Sequence, residues 1–171
     1  MQIHGRQVTL RPLVSGDAGR LAEILGTPEV ARWWTGYDLA RVESEFLVPE
    51  PNVVILGIEL DGRLIGVIQS TEEPEPDFRH AGIDLFLDPA AQGRGLGPDA
   101  IRALARHLIE HDGHHRLTID PAADNEPAIR AYTKVGFRPV GRLREYKRFP
   151  DGIWRDGLLM DLLAHELEDD A

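Results

Sequence analysis

Apolar residues recur along the chain with two different periods, one of two residues and one near 3.6, which predicts strands interleaved with helices. In NVVILGIELDGRLIGVIQS, two β-branched runs flank Asp61-Gly62, and this dipeptide is typical of a tight hairpin turn. Apolar residues between Ile101 and Leu108 have helical spacing, so we predict a helix that opens at Pro98.

The other elements follow from apolar runs and from residues that favour helix ends. We expect Ser15 and Thr27 to cap the starts of helices, and the last helix to run from its cap at Asn125 to Gly136. Residues 71–80 are predicted as an acidic loop, and the final EDDA as a loose tail. Strands are predicted at 8–13, 81–89, 115–120, 137–146 and within 153–167, and further helices at 17–25, from 28 and at 39–47. This order predicts one domain over residues 1–171, of the α/β class, with a mixed sheet and helices on its faces.

Composition narrows the classes of function. The chain of 171 residues contains no cysteine, which excludes disulfides, thiolate metal sites and a cysteine nucleophile. Its net charge of -10 disfavours binding to nucleic acid and favours cationic partners. No apolar stretch has the length of a membrane span and the N-terminus lacks a signal-peptide pattern, so we expect a cytoplasmic protein with no membrane partner.

Three glycines, Gly93, Gly95 and Gly97, stand between a predicted strand and the helix at Pro98. Glycine lets the backbone approach a ligand closely, and the free N–H groups at a helix start attract phosphate. The alternative is a tight strand-to-helix turn without a ligand. The segment lacks the Lys-Ser/Thr pair of a P-loop and the G-x-G-x-x-G spacing of a dinucleotide site.

The stretch QGRGLG, residues 92–97, resembles the acetyl-CoA pyrophosphate loop of the GNAT superfamily of N-acetyltransferases. A second segment, DPAADNEPAIRAYTKVGF at 120–137, is similar to the strand end and helix that follow in that family. The resemblance implies a mostly antiparallel mixed sheet whose splayed strands hold acetyl-CoA, and an acetyl transfer without a metal. It implies cofactor contacts from Gln92, Gly93, Arg94, Gly95, Leu96, Gly97, Asn125 and Tyr132.

By the same resemblance Tyr132 is the acid that protonates the leaving thiolate. A phenol has an ordinary pKa of about 10 and therefore keeps its proton at neutral pH. Direct attack by a neutral amine, with no covalent acyl-enzyme, is implied as the reaction. Taken without the resemblance, Tyr132 is a core tyrosine with a satisfied hydroxyl.

The acceptor is expected to be a small cationic amine. The stretches PEVARWWTG, GIDLFLDP and IDPAADN resemble aminoglycoside 6′-N-acetyltransferases, whereas both ends of the chain resemble ribosomal-protein N-terminal acetyltransferases. A non-catalytic acetyl-CoA-binding module is the alternative from another class. For an aminoglycoside acceptor, the resemblance and the distribution of acidic residues predict substrate contacts from Trp33, Trp34, Glu73, Asp77, Asp84 and Asp120. By the resemblance, Asp84 also relays a proton from the reacting amine.

Several of these residues have a structural alternative. Asp84 in an apolar strand could form an ion pair with an arginine, and Asp120 before Pro121 could serve a turn. The histidines of HLIEHDGHH lack the H-E-x-x-H order and are expected to be solvated. The basic stretch RLREYKR is predicted as an exposed strand face. We expect a monomer or a homodimer.

Overall fold

The computed structural model describes residues 1–169, and within them eight strands form one sheet. The strands are β1 (Ile3–His4), β2 (Thr9–Pro12), β3 (Val53–Leu60), β4 (Arg63–Glu73), β5 (His80–Leu87), β6 (Arg116–Ile119), β7 (Arg138–Arg148) and β8 (Trp154–Leu163). Their spatial order is β1-β2-β3-β4-β5-β6-β8-β7. Every neighbouring pair is antiparallel except β5 and β6, which are parallel. The predicted mixed, mostly antiparallel sheet is confirmed.

The helices are α1 (Ala18–Leu25), α2 (Pro28–Ala31), α3 (Leu39–Phe46), α4 (Leu96–Glu110) and α5 (Glu126–Val135), with short 3-10 turns at Ser15–Asp17, Pro89–Ala91 and Ala164–Glu166. The prediction that Ser15 caps the first helix is wrong. Ser15 lies inside a 3-10 turn, and the Asp17 carboxylate accepts the Val14 N–H at 2.8 Å instead. The predicted start of α4 at Pro98 is also wrong, because the helix begins at Leu96.

Apolar side chains from the two sheet faces build two cores. One core packs α4 and α5 against one face and includes Ile101, Leu117 and Phe137. The other packs α1, α2 and α3 against the opposite face and includes Leu21 and Phe86. We call these faces the α4 face and the α1 face.

The parallel pair β5 and β6 is joined over a short length only. Its paired residues are Ala81 with Leu117 and Gly82 with Thr118, although β5 runs on to Leu87. Beyond these pairs the two strands separate, and the sheet is open in its middle.

A buried carboxylate joins the N-terminal hairpin to α4. Asp99, in the first turn of α4, is 4% exposed and accepts the backbone N–H groups of Arg6, Gln7 and Val8 at 2.8, 2.8 and 3.0 Å. The chain passes so closely that a Cβ on Gly5 would lie 2.6 Å from the Asp99 carboxylate. The start of α4 is therefore fixed by the turn that joins β1 to β2.

Two irregular segments differ from expectation. β4 extends through Glu73 and β5 starts at His80, so only residues 74–79 of the predicted loop are outside strands. The first half of the predicted loose tail is docked, because the Glu168 N–H donates to the Val135 carbonyl at 3.1 Å. Residues 170 and 171 of that tail lie outside the described residues. Among residues 1–169, no helix has the length and apolarity needed to cross a membrane.

Candidate active site

A cleft of about 920 Å³ passes through the opening between β5 and β6. We call it the central cleft. Residues of the loop before α4 and of α5 line it on the α4 face, and Trp33, Trp34 and Tyr37 line it on the α1 face. A ligand in this cleft can therefore contact elements on both sides of the sheet.

The glycine segment forms one end of the central cleft. Gly93 and Gly95 have φ values of 73° and 77°, a left-handed conformation that favours glycine. Gly95 precedes the helix, whose first i−4 bond runs from the Asp99 N–H to the Gly95 carbonyl at 3.2 Å. The N–H groups of Leu96 and Gly97 precede that bond and have no acceptor within the helix. Pro98 is the third residue of α4, a position where a missing N–H breaks no helical bond.

Two carboxylates stand where the strands separate. Asp84 and Asp120 each lie two residues beyond the last paired residues, Gly82 and Thr118, and so share the α1 face of the sheet. The antiparallel register places Gln69 of β4 directly opposite Asp84. The Asp84 carboxylate accepts the N–H of Leu85 at 2.9 Å. No ion pair between Asp84 and an arginine is found within residues 1–169.

Burial and a neighbouring charge change the acidity of Asp84. Solvent reaches its carboxylate through the central cleft, but protein surrounds the remaining sides and disfavours the ionised form. This desolvation, reinforced by the charge of Asp120 and only partly opposed by the Leu85 N–H and Lys147, raises the pKa of Asp84 to about 7. A carboxyl group that titrates near neutral pH can both take up and release a proton under physiological conditions.

Tyr132 extends from α5 into the same cleft. Burial raises the pKa of its phenol, and the charges of Asp84 and Asp120 raise it further. The hydroxyl therefore keeps its proton at neutral pH, which suits a proton donor.

A bulge in β7 brings a second phenol to the carboxylates. The β7–β8 register shifts between Leu143 and Lys147, and within the bulge Glu145 has a φ of 47° while its N–H donates to Asp156 at 2.8 Å. The next residue, Tyr146, donates a short hydrogen bond from its hydroxyl to Asp120. This bond is the largest cause that raises the pKa of Tyr146 to about 12. Asp120 is thus held in place by Tyr146.

A glycine on β8 makes room for this arrangement. A Cβ added to Gly157 would lie 2.9 Å from Cδ2 of Tyr146. Position 157 therefore admits no larger residue while Tyr146 keeps its place beside Asp120.

The two tryptophans have different neighbours. The Trp34 ring lies against Phe86, with centroids 5.0 Å apart, and belongs to the core on the α1 face. The Trp33 ring makes an edge contact with Phe149 at 5.8 Å, and the Arg32 guanidinium lies 4.4 Å from its centroid. Both line the central cleft.

Most of the predicted site residues converge. The central cleft is lined by Trp33, Trp34, Asp84, Gln92, Gly93, Gly95, Leu96, Gly97, Asp120, Asn125 and Tyr132. Asn125 also accepts the Ala128 N–H at 3.4 Å, as a helix cap does. Arg94 lies on the same loop, exposed, and is not among the lining residues. Glu73 and Asp77 lie outside the cleft, near the opposite end of β5.

Several further polar lining residues were not predicted as site residues, among them Gln69, Arg130, Lys134, Tyr146 and Lys147. Arg130 and Lys134 are four residues apart on α5 and so lie on one helix face, a spacing that could have revealed them. Lys147 donates a short hydrogen bond to the Trp33 carbonyl. The predicted exposed strand face at 142–148 therefore also supplies part of the cleft wall.

A family model described as an acetyltransferase (GNAT) domain matches residues 7–138. The chain belongs to the GNAT acetyltransferase family. Its mostly antiparallel sheet with a central opening is the fold expected of a GNAT protein.

Similar proteins differ in the acceptors that their names state. An aminoglycoside N(6′)-acetyltransferase type 1 from Klebsiella pneumoniae is 33% identical over 164 residues, which cover 85% of this GNAT chain and 79% of the relative. N-alpha-acetyltransferase RimI from Mycobacterium tuberculosis is 32% identical over 145 residues, with coverages of 82% and 85%. A solved structure of AAC(6′)-Ib in complex with paromomycin and acetyl-CoA matches with a TM-score of 0.78 and 30% identity, covering 96% of this chain and 99% of that one.

This GNAT protein is an acetyl-CoA-dependent acetyltransferase. The residues present fit acetyl-CoA. Left-handed glycines and free helix amides suit a pyrophosphate, the cations Arg130 and Lys134 line the same cleft, and the opening through the sheet admits a long, narrow molecule.

Proposed function

We propose that this acetyltransferase acetylates the 6′-amine of an aminoglycoside. The observation that carries the proposal is the pair of carboxylates, Asp84 and Asp120, on one face of the sheet where β5 and β6 separate. An aminoglycoside carries several ammonium groups, and paired carboxylates in a cleft bind such groups. The relative from Klebsiella pneumoniae and the structure of AAC(6′)-Ib support the same acceptor.

In this proposal the backbone of residues 93–97 holds the pyrophosphate, and Arg94 adds a cation to the loop. Gln92 also fixes the loop, because its side chain donates to the Leu87 carbonyl at 3.0 Å. Asn125 is assigned to the pantetheine arm. Acetyl-CoA, when bound, supplies an acetyl thioester whose sulfur leaves as a thiolate.

Two side chains move protons. Asp84 accepts the proton that the acceptor amine must lose, since a base is most effective when its pKa lies near the working pH. Tyr132 donates its phenol proton to the leaving sulfur. Asp120 binds a second ammonium of the acceptor, and the indole of Trp33 or Trp34 packs against a sugar ring.

A second candidate acceptor is the α-amine of a protein N-terminus. The cations Arg41, Lys147 and Arg148 also line the central cleft, and they would oppose a polycation while suiting the carbonyl and carboxylate oxygens of a peptide. Glu73 and Asp77, which the aminoglycoside proposal assigns to the acceptor, can act on it only at a distance through their charge.

The test is release of free thiol from acetyl-CoA with kanamycin, tobramycin and a peptide that has a free N-terminus. We expect the highest kcat/KM with an aminoglycoside and a product acetylated at the 6′-nitrogen. Turnover of the peptide alone would contradict the aminoglycoside proposal, and binding of CoA without turnover of any amine would contradict catalysis.

Asp120→Asn tests the role of Asp120 in binding the acceptor. We expect it to raise KM for the aminoglycoside about tenfold, roughly 1.4 kcal/mol of lost binding, with little change in affinity for CoA. The cytoplasmic location and the monomeric or homodimeric state stay predictions.

A further inference from the structure

The C-terminal end of α4 carries two histidines on one helix face. His107 and His111 are one turn apart, and their rings stack with centroids 4.6 Å apart and planes inclined by 14°. The sequence suggested solvated histidines at a helix end. In the structure the two rings are stacked on this face, and the His111 side chain is exposed to solvent.

A carboxylate completes the group. The His107 carbonyl accepts both the His111 N–H at 2.9 Å and the Asp112 N–H at 3.2 Å, so the chain turns Asp112 back towards His107. An oxygen of Asp112 lies 2.8 Å from Nδ1 of His111, and the other oxygen lies 3.9 Å from Nε2 of His107.

We propose that His107, His111 and Asp112 bind a divalent transition-metal ion, with Zn²⁺ as the clearest case, outside the central cleft. The three ligand atoms lie within 4.8 Å of one another. Bonds of about 2.0–2.2 Å place the ligands of a tetrahedral zinc ion about 3.3–3.6 Å apart. The group therefore has to contract by about 1 Å at its widest, and the side chains of His111 and Asp112, which are exposed, have room to rotate.

The surroundings suit a cation. The unpaired carbonyls at a helix C-terminus carry partial negative charge. The Arg79 guanidinium is near the group and donates to the Asp112 carbonyl at 2.9 Å. Its positive charge is offset by the Glu72 carboxylate, which lies 2.7 Å from Nε of Arg79. His111 is 74% exposed, so an ion can enter from solvent and keep a water as its fourth ligand.

The donor set determines the class of ion. Two imidazoles and one carboxylate suit Zn²⁺, Ni²⁺ and Cu²⁺, whereas Mg²⁺ and Ca²⁺ prefer oxygen ligands alone. The site is thus expected to select transition metals against the common alkaline-earth ions.

The experiment is calorimetric titration of untagged, chelator-treated protein with ZnCl₂ in the presence of excess Mg²⁺. We expect one saturable Zn²⁺ site per chain and a rise in Tm on binding. His107→Gln should weaken this binding at least about tenfold, because even the loss of an outer-shell partner costs 10–100-fold. An electron paramagnetic resonance spectrum with Cu²⁺ should show two nitrogen ligands.

His4→Gln is the matched control, since His4 lies in β1, near the opposite end of α4, and is exposed. It should leave the zinc affinity unchanged. The absence of saturable Zn²⁺ binding, equal affinity in His107→Gln and wild type, or equal weakening by His4→Gln would each overturn the proposal.

Discussion

Removing one oxygen atom from Tyr132 tests its assignment as the proton donor. In Tyr132→Phe the thiolate has to leave without an acid in place, so we expect kcat to fall about 100-fold or more. The affinity for CoA should change little, because the ring remains to fill the cleft. Thiol release gives the first quantity, and calorimetric titration with CoA gives the second. Unchanged turnover would remove Tyr132 from the mechanism.

Asp84 gives a prediction for the dependence of activity on pH. As a base it must be ionised, and its pKa is raised to about 7 by burial and by Asp120. We therefore expect kcat/KM to decline as the pH falls below about 7, through the single ionisation of this carboxyl group. Asp84→Asn should abolish this limb of the pH profile together with most of the activity. A profile in the variant that matches the wild type would assign the ionisation to another group.

The same shift has a consequence for stability. In the unfolded chain Asp84 titrates near its ordinary pKa of about 4. Between pH about 4 and pH about 7, the Asp84 carboxyl group is protonated in the folded state and ionised in the unfolded chain. The free energy of unfolding therefore falls as the pH rises through this range. We expect Asp84→Asn to be at least as stable as wild type at about pH 8 in urea unfolding, with the advantage lost near pH 4. Parallel curves for both proteins would show that Asp84 titrates in its ordinary range.

At the scale of elements, the contribution of the glycine loop to CoA binding can be distinguished from the stability cost of replacing a glycine that has a positive φ. Gly95 and Gly113 have φ values of 77° and 76°, and a Cβ on either would meet no atom within 4 Å. Alanine at either position should therefore cost a similar 1–2 kcal/mol, roughly, for its left-handed conformation. Only Gly95 adjoins the free amides of α4, so only Gly95→Ala should weaken CoA binding, by about tenfold. Equal CoA affinity in the two variants would remove the loop from the binding site.

Local sequence signals predicted the hairpin turn correctly but misplaced the first helix cap and the start of α4. The hairpin at Asp61-Gly62 formed as expected, with both residues at positive φ. The start of α4 was placed two residues late because proline favours a first turn but does not specify which position of that turn it takes.

The part of the site that depends on register could not be predicted. Gln69 lies opposite Asp84 only through the pairing of β4 with β5. Tyr146 reaches Asp120 because a bulge changes which β7 side chains point into the cleft, and no alternation of polar and apolar residues encodes that bulge. Gly95 and Tyr132, whose segments match a known pattern, were predicted, although Arg130 and Lys134 beside Tyr132 were not. Residues brought in by pairing between distant strands were missed.

At the scale of the whole molecule, Asp99 links segments that are more than ninety residues apart in sequence. Asp99→Asn keeps the shape of the side chain but replaces one acceptor oxygen with a donor that faces backbone N–H groups. We expect a loss of about 2–4 kcal/mol in the free energy of unfolding, from unsatisfied buried donors. Asp77→Asn, at an exposed position, should change stability by less than about 0.5 kcal/mol. A loss at Asp99 no larger than that at Asp77 would show that these hydrogen bonds contribute nothing net.

The Asp99 contacts also bear on trimming of the polypeptide by proteases. A cut after Val8 would discard the three amides that surround this carboxylate and leave it stranded at the first turn of α4. That turn presents the free amides to which we assign the pyrophosphate, so damage to the amino-terminal eight residues is expected to reach the central cleft although none of them lines it.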